Sequence, residues 1–218
     1  MARPTPSEQI ELRGPAGAID ALLDLPPEVR GIALVCHPHP LYSGTNTNKV
    51  AFTLARTFRD MGYATIRPNF RGVGGSEGEH DEGRGETEDM LAVLSWAQSR
   101  WGVLTQTVAG FSFGAYVAHR VVNRLAETPT PTHRIALVGT PCGEMVGSGR
   151  TYDLDPLPED VPTLLIHGEK DETCSLQNML DWAGTQDLPA TIVPGADHFF
   201  HGKLHVIRKI ITGSWAPV

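Results

Sequence analysis

Gly110-Phe111-Ser112-Phe113-Gly114 lies between a strand-like run, Thr105-Gln106-Thr107-Val108-Ala109, and a helix-like one, Ala115 to Leu125. A serine hydroxyl is a poor nucleophile until it is held in the open beside a base that takes its proton. A sharp strand-to-helix turn does the holding. The flanking glycines let the backbone fold tightly where side chains would collide. Alone, the pentapeptide recurs by chance; between a strand and a helix it marks Ser112 as a nucleophile.

Outward from this turn, strand and helix patterns alternate. Two antiparallel strands are expected near the start, Gln9–Leu12 and Ala18–Leu23, joined by Gly14-Pro15-Ala16-Gly17. After Pro26-Pro27, continuous apolar runs at Gly31–Cys36, Ala64–Ile66, Val108–Gly110, Arg134–Val138 and Thr163–Ile166 suit strands covered on both faces, and Ala190–Val193 adds another. Helices are expected over Asn48–Met61 (capped by Asn46 or Thr47), Glu86–Trp101, Ser112–Glu127 and about Gly202–Ser214. Such alternation predicts an α/β fold, a mainly parallel sheet of about eight strands with helices on both faces. With no repeat or linker in view, residues 1–218 read as a single domain.

Bulk properties narrow the function. A chain of 218 residues, 40% apolar and 20% charged, can bury a sizeable core. A net charge of −7 disfavours nucleic acid and anionic membrane as partners, since both call for a basic surface. The longest apolar run, Ile32–Cys36, is far too short to cross a bilayer, and Met1–Ser7 carries no secretory pattern, so a cytoplasmic location is expected. Cys36, Cys142 and Cys174 form no Cys-x-x-Cys and are expected as reduced thiols, not as a nucleophile.

A serine nucleophile needs a histidine, and the histidine a carboxylate to fix its tautomer. In a parallel sheet these belong beyond the carboxyl ends of strands. Asp171 follows Leu164-Leu165-Ile166 through a short polar loop, and His198 follows Thr191-Ile192-Val193. Glu169, Glu172 and Asp197 compete with Asp171, although Asp197 could instead cap the next helix.

Five segments then carry a family resemblance: Cys36–Gly44 with its Cys-His-Pro-His-Pro, Asn69–Gly78, Ala109–Gly114, Leu165–Asp171 and Gly195–Phe200. In this order they resemble the α/β-hydrolases, specifically a small bacterial lidless serine hydrolase group that is esterase-like. The resemblance implies the α/β-hydrolase fold and the chain order Ser112, Asp171, His198. It implies no cofactor.

Acyl transfer also needs donors aimed at the oxygen that becomes negative. Phe113, after the nucleophile at a helix start, supplies one backbone N–H. The second belongs to His37-Pro38-His39-Pro40-Leu41, where the prolines have no N–H to give. His39 and Leu41 remain, and the turn of the chain towards the next helix favours Leu41. Arg71–Ser76 lacks nucleotide-loop spacing and reads as a structural turn. His198, His201 and His205 could share a helix face, but without His-Glu-x-x-His no metal is expected.

Gly139–Val161, where many α/β-hydrolases carry a helical cap, is glycine-rich and without amphipathic period. A loop without its own secondary structure is expected there, bordering an open cleft. The sequence thus points to a serine carboxylesterase acting on a small-molecule acyl ester. A thioesterase or small peptidase would use the same residues, and a catalytically silent binding protein is the reading of another class. Oligomeric state has no signature here.

Overall fold

The computed structural model describes residues 6–126, 128, 132–145 and 149–218. Among them one eight-stranded sheet dominates, in the order β1-β2-β4-β3-β5-β6-β9-β10. β1 (Glu8–Gly14) and β2 (Gly17–Asp24) form the antiparallel edge. β4 (Tyr63–Pro68), β3 (Gly31–Cys36), β5 (Thr105–Phe111), β6 (Arg134–Val138), β9 (Thr163–Gly168) and β10 (Ala190–Val193) run parallel. β3 and β4 are buried along their whole length. Strands covered on both faces need no polar alternation, which is why their sequences read as near-continuous apolar runs.

Helices cover both faces. On one side α2 (Arg84–Trp101), α3 (Phe113–Leu125) and α4 (Leu176–Gly184) bury Met90, Val93, Val117, Val121 and Met179. On the other, α1 (Lys49–Asp60) and α5 (Leu204–Ser214) bury Leu54, Phe58, Ile207 and Ile211. Each such fully buried aliphatic or aromatic side chain contributes about 1.5–3 kcal/mol.

The elements differ from expectation where local hydrogen bonding decides. α1 is capped by Asn48, not Asn46 or Thr47: its side chain accepts from the N–H groups of Val50 and Ala51 at 2.9 and 3.3 Å. α2 starts earlier, after Gly83, because the buried Glu86 carboxylate accepts from the Gly83 and Asp81 N–H groups. α4 was not expected; its nine residues bury only Met179 and Ala183, too faint a stripe to read, although Ser175 caps it. Between β6 and β9 the chain is not wholly irregular. β7 (Gly143–Glu144) and β8 (Thr151–Tyr152) pair into a small antiparallel ribbon.

Candidate active site

The site lies beyond the carboxyl ends of β3, β5, β9 and β10, where the connecting loops meet. Ser112, directly after β5, has φ 56° and ψ −127°. A non-glycine residue rarely adopts this left-handed geometry, and holding it costs about 1–3 kcal/mol. Neighbouring contacts impose it. A Cβ on Gly110 would strike the Gly114 carbonyl, and one on Gly114 would strike the carbonyl oxygens of Cys36 and His37. The two glycines therefore let α3 rise immediately behind the end of β3, leaving Ser112 at the apex, bordering a cavity of about 350 Å³.

His198 is buried against Phe111, with ring centroids 4.8 Å apart. Its Nδ1–H donates to Asp171 Oδ2 at 2.7 Å. The other Asp171 oxygen accepts from the N–H groups of Thr173 and Cys174 at 2.9 and 2.8 Å. Burial would raise the Asp171 pKa, but the hydrogen bond and charge of His198, with the Cys174 N–H, hold it below the usual carboxylate value. The rival acids are placed elsewhere. Glu169 accepts from the Gly195 N–H, Asp197 takes both the N–H and Nδ1 of His201, and Glu172 is exposed at the cavity.

The Ser112 side chain lies near enough to the Cys174 thiol to temper the rise that burial imposes on its pKa, and among the described residues no hydrogen bond joins Ser112 to His198. Sequence reasoning missed this cysteine, because its position depends on the turn that Asp171 folds around its own carboxylate. Asp171, Cys174 and His198 offer ligand atoms within 4.8 Å of one another. They suit a metal poorly: the imidazole and carboxylate bind each other, and burial pushes the thiol well above its ordinary pKa, away from the thiolate a metal needs. His198, His201 and His205 do not share a helix face, since α5 begins only at Leu204.

The loop after β3 completes the site. His37 is fully buried; its Nδ1–H donates to the Pro38 carbonyl at 2.7 Å and its Nε2 accepts from the Phe70 N–H at 2.9 Å. Burial pushes its pKa down to about 4, so the ring is a neutral clamp between this loop and the end of β4. His39 packs on Phe113 and His80, and His80 is held by Glu86 at 2.7 Å. Leu41, favoured from the sequence as the second donor, has its amide engaged within the loop. Its N–H is committed to His39 Nδ1 at 3.2 Å, and its side chain is 61% exposed. The His39 and Phe113 N–H groups, by contrast, meet no protein acceptor among the described residues. At the start of the Arg71–Ser76 turn, Arg71 donates to both Asp89 carboxylate oxygens at 2.8 and 3.0 Å.

A mainly parallel eight-stranded sheet, with a serine on a left-handed turn after its central strand β5, defines an α/β-hydrolase. Known proteins agree. The family model for X-Pro dipeptidyl-peptidase (S15 family) matches residues 19–141, and the chain belongs to that family of α/β-hydrolases. RP471 of Rickettsia prowazekii is 35% identical over 213 residues, spanning 93% of this chain and 86% of that protein. Among solved structures, XC6422 of Xanthomonas campestris, described as an α/β serine hydrolase without a lid, superposes with a TM-score of 0.83 at 35% identity, covering 100% of this chain and 99% of that one. An α/β serine hydrolase homologue from Coxiella burnetii gives 0.84 at 32% identity, with 99% and 100% covered.

Proposed function

We propose that this serine hydrolase cleaves small soluble carboxylic esters through an acyl-enzyme intermediate. Ser112 Oγ attacks the ester carbonyl carbon. Because Nδ1 of His198 is bound to Asp171, Nε2 is the nitrogen that takes the serine proton and returns it to the leaving alcohol. Asp171 fixes that tautomer and stabilises the imidazolium. The backbone N–H groups of Phe113 and His39 stabilise the oxyanion, the former aided by the start of α3. Water then repeats the sequence and releases the acid. The first step requires the Ser112 hydroxyl to be presented to His198 Nε2.

The observation that carries this reading is a serine held at φ 56° on the rim of a cavity, at the same end of the sheet as a His198–Asp171 pair joined at 2.7 Å. The modest volume supports small substrates, and the ribbon in place of a helical cap supports soluble ones. Labelling with a fluorophosphonate probe tests it. The wild type is expected to label and Ser112→Ala to lose both labelling and ester hydrolysis while keeping its fold. Labelling that survives in Ser112→Ala would move the nucleophile, and a wild type that never labels would favour a silent binding protein. The S15 family model favours a peptidase as second reading; a panel of esters, thioesters and short peptides separates the classes.

A further inference from the structure

The cavity beside Ser112 has two differently charged borders. Glu172 and Thr173 adjoin Asp171, whereas His39 and Tyr42 come from the loop after β3, and Arg150 and Tyr152 from the β7–β8 ribbon. Arg150 places its guanidinium carbon 4.9 Å from the centroid of the Tyr42 ring. Stacking of this kind fixes the guanidinium plane, and a guanidinium presents five N–H donors in a rigid fork. The charge is felt across the cavity: after burial, Arg150 is the largest influence holding His39 neutral, with a pKa pushed down to about 4. With that ring neutral, Arg150 is the cation among the described residues bordering the cavity.

The chemistry assigns each border a part of the substrate. His198 protonates the leaving group, so the leaving group lies on the side of His198, Asp171 and Glu172. That assigns the acyl chain to the opposite border of the cavity, formed by Tyr42, Arg150 and Tyr152. We propose that the preferred substrate carries a carboxylate at the end of a short acyl chain, as in a monoester of a small dicarboxylic acid, and that Arg150 binds this carboxylate. The proposal rests on the esterase reading above. A volume of about 350 Å³ is at the small end of ligand pockets, ~300–1,000 Å³, and fits a short chain. The bond changes are unaltered: ester and water give the dicarboxylic acid and the alcohol, and Arg150 takes no part in them.

The test compares kcat/KM for mono-p-nitrophenyl glutarate with that for p-nitrophenyl butyrate. The wild type is expected to prefer the anionic ester, and Arg150→Gln to lower the ratio about tenfold, the scale of one charge-assisted hydrogen bond. A ratio is insensitive to a general loss of activity. Arg150→Glu is expected to reverse the preference in favour of an ester with an ammonium-bearing acyl chain. Should these variants fail to fold, competitive inhibition of the wild type by glutarate, weakening with added salt, reads the same contact. A wild type that labels with fluorophosphonate and hydrolyses the butyrate ester without preferring the anionic one overturns this inference alone. An unchanged ratio in a folded Arg150→Gln does the same. Failure of labelling overturns the esterase reading, and the inference with it.

Discussion

The Asp171 carboxylate is bound on both oxygens, to His198 Nδ1 at 2.7 Å and to the Thr173 and Cys174 N–H groups. Asp171→Asn keeps the size of the side chain but offers an N–H₂ group where an acceptor is needed, so the tautomer of His198 changes. We expect kcat to fall about 10⁴-fold, with the folded state retained, as measured by steady-state kinetics and circular dichroism. Near-normal turnover would hand the role to another acid, and Glu172 is the one that borders the cavity. At this scale much was legible. The strand ends that Ser112, Asp171 and His198 follow were readable from the sequence, and the 2.7 Å His198–Asp171 bond joins two of these residues. The fate of the Leu41 amide was not legible, because a turn closed by a neighbouring imidazole leaves no periodic trace. The approach of Cys174 to Ser112 was hidden too, since it depends on the turn that Asp171 closes with the Cys174 N–H, 62 positions further along the chain.

The β5–α3 turn is a property of two elements packed against a third. Gly114 sits where the first turn of α3 meets the carbonyl oxygens of Cys36 and His37 at the end of β3. Backbone atoms cannot swing aside as a flexible side chain can, so Gly114→Ala is expected to cost about 3 kcal/mol, the upper end for overpacking, and to displace the Phe113 N–H from the site. A denaturation midpoint and an esterase assay should fall together. Gly184→Ala is the contrasting case: a Cβ there meets nothing within 4 Å, and in the last turn of α4 a gain of about 0.5–1 kcal/mol is expected. A Gly114→Ala protein as stable as the wild type would contradict this account of the turn. The long elements were readable because their apolar stripes or continuous runs are strong. The weak ones, α4 and the β7–β8 ribbon, bury too few side chains to announce themselves and depend on the sheet beneath them.

For the whole molecule, two buried imidazoles couple folding to acidity. His37 and His39 are neutral in the fold, pushed by burial from an ordinary value of 6.5 down to about 4. Between those values the unfolded chain binds protons that the folded one refuses. Stability should therefore decline as pH drops from about 6.5 towards 4. Asp171, held below its usual value, stabilises the fold above that value and loses the contribution only as pH falls through its lower folded pKa. Urea midpoints taken at about pH 7.5 and about pH 4.5 should differ in that direction, and a flat profile would count against the neutral clamp. The groups proposed to break bonds follow β5, β9 and β10 of the central sheet, whereas Tyr152 lies in, and Arg150 just before, the second strand of the short ribbon inserted between β6 and β9. On the proposed reading, reactivity and choice of substrate are built into separate parts of the architecture, so descendants of this scaffold could rewrite one short insertion and change what they accept without redesigning how they cut.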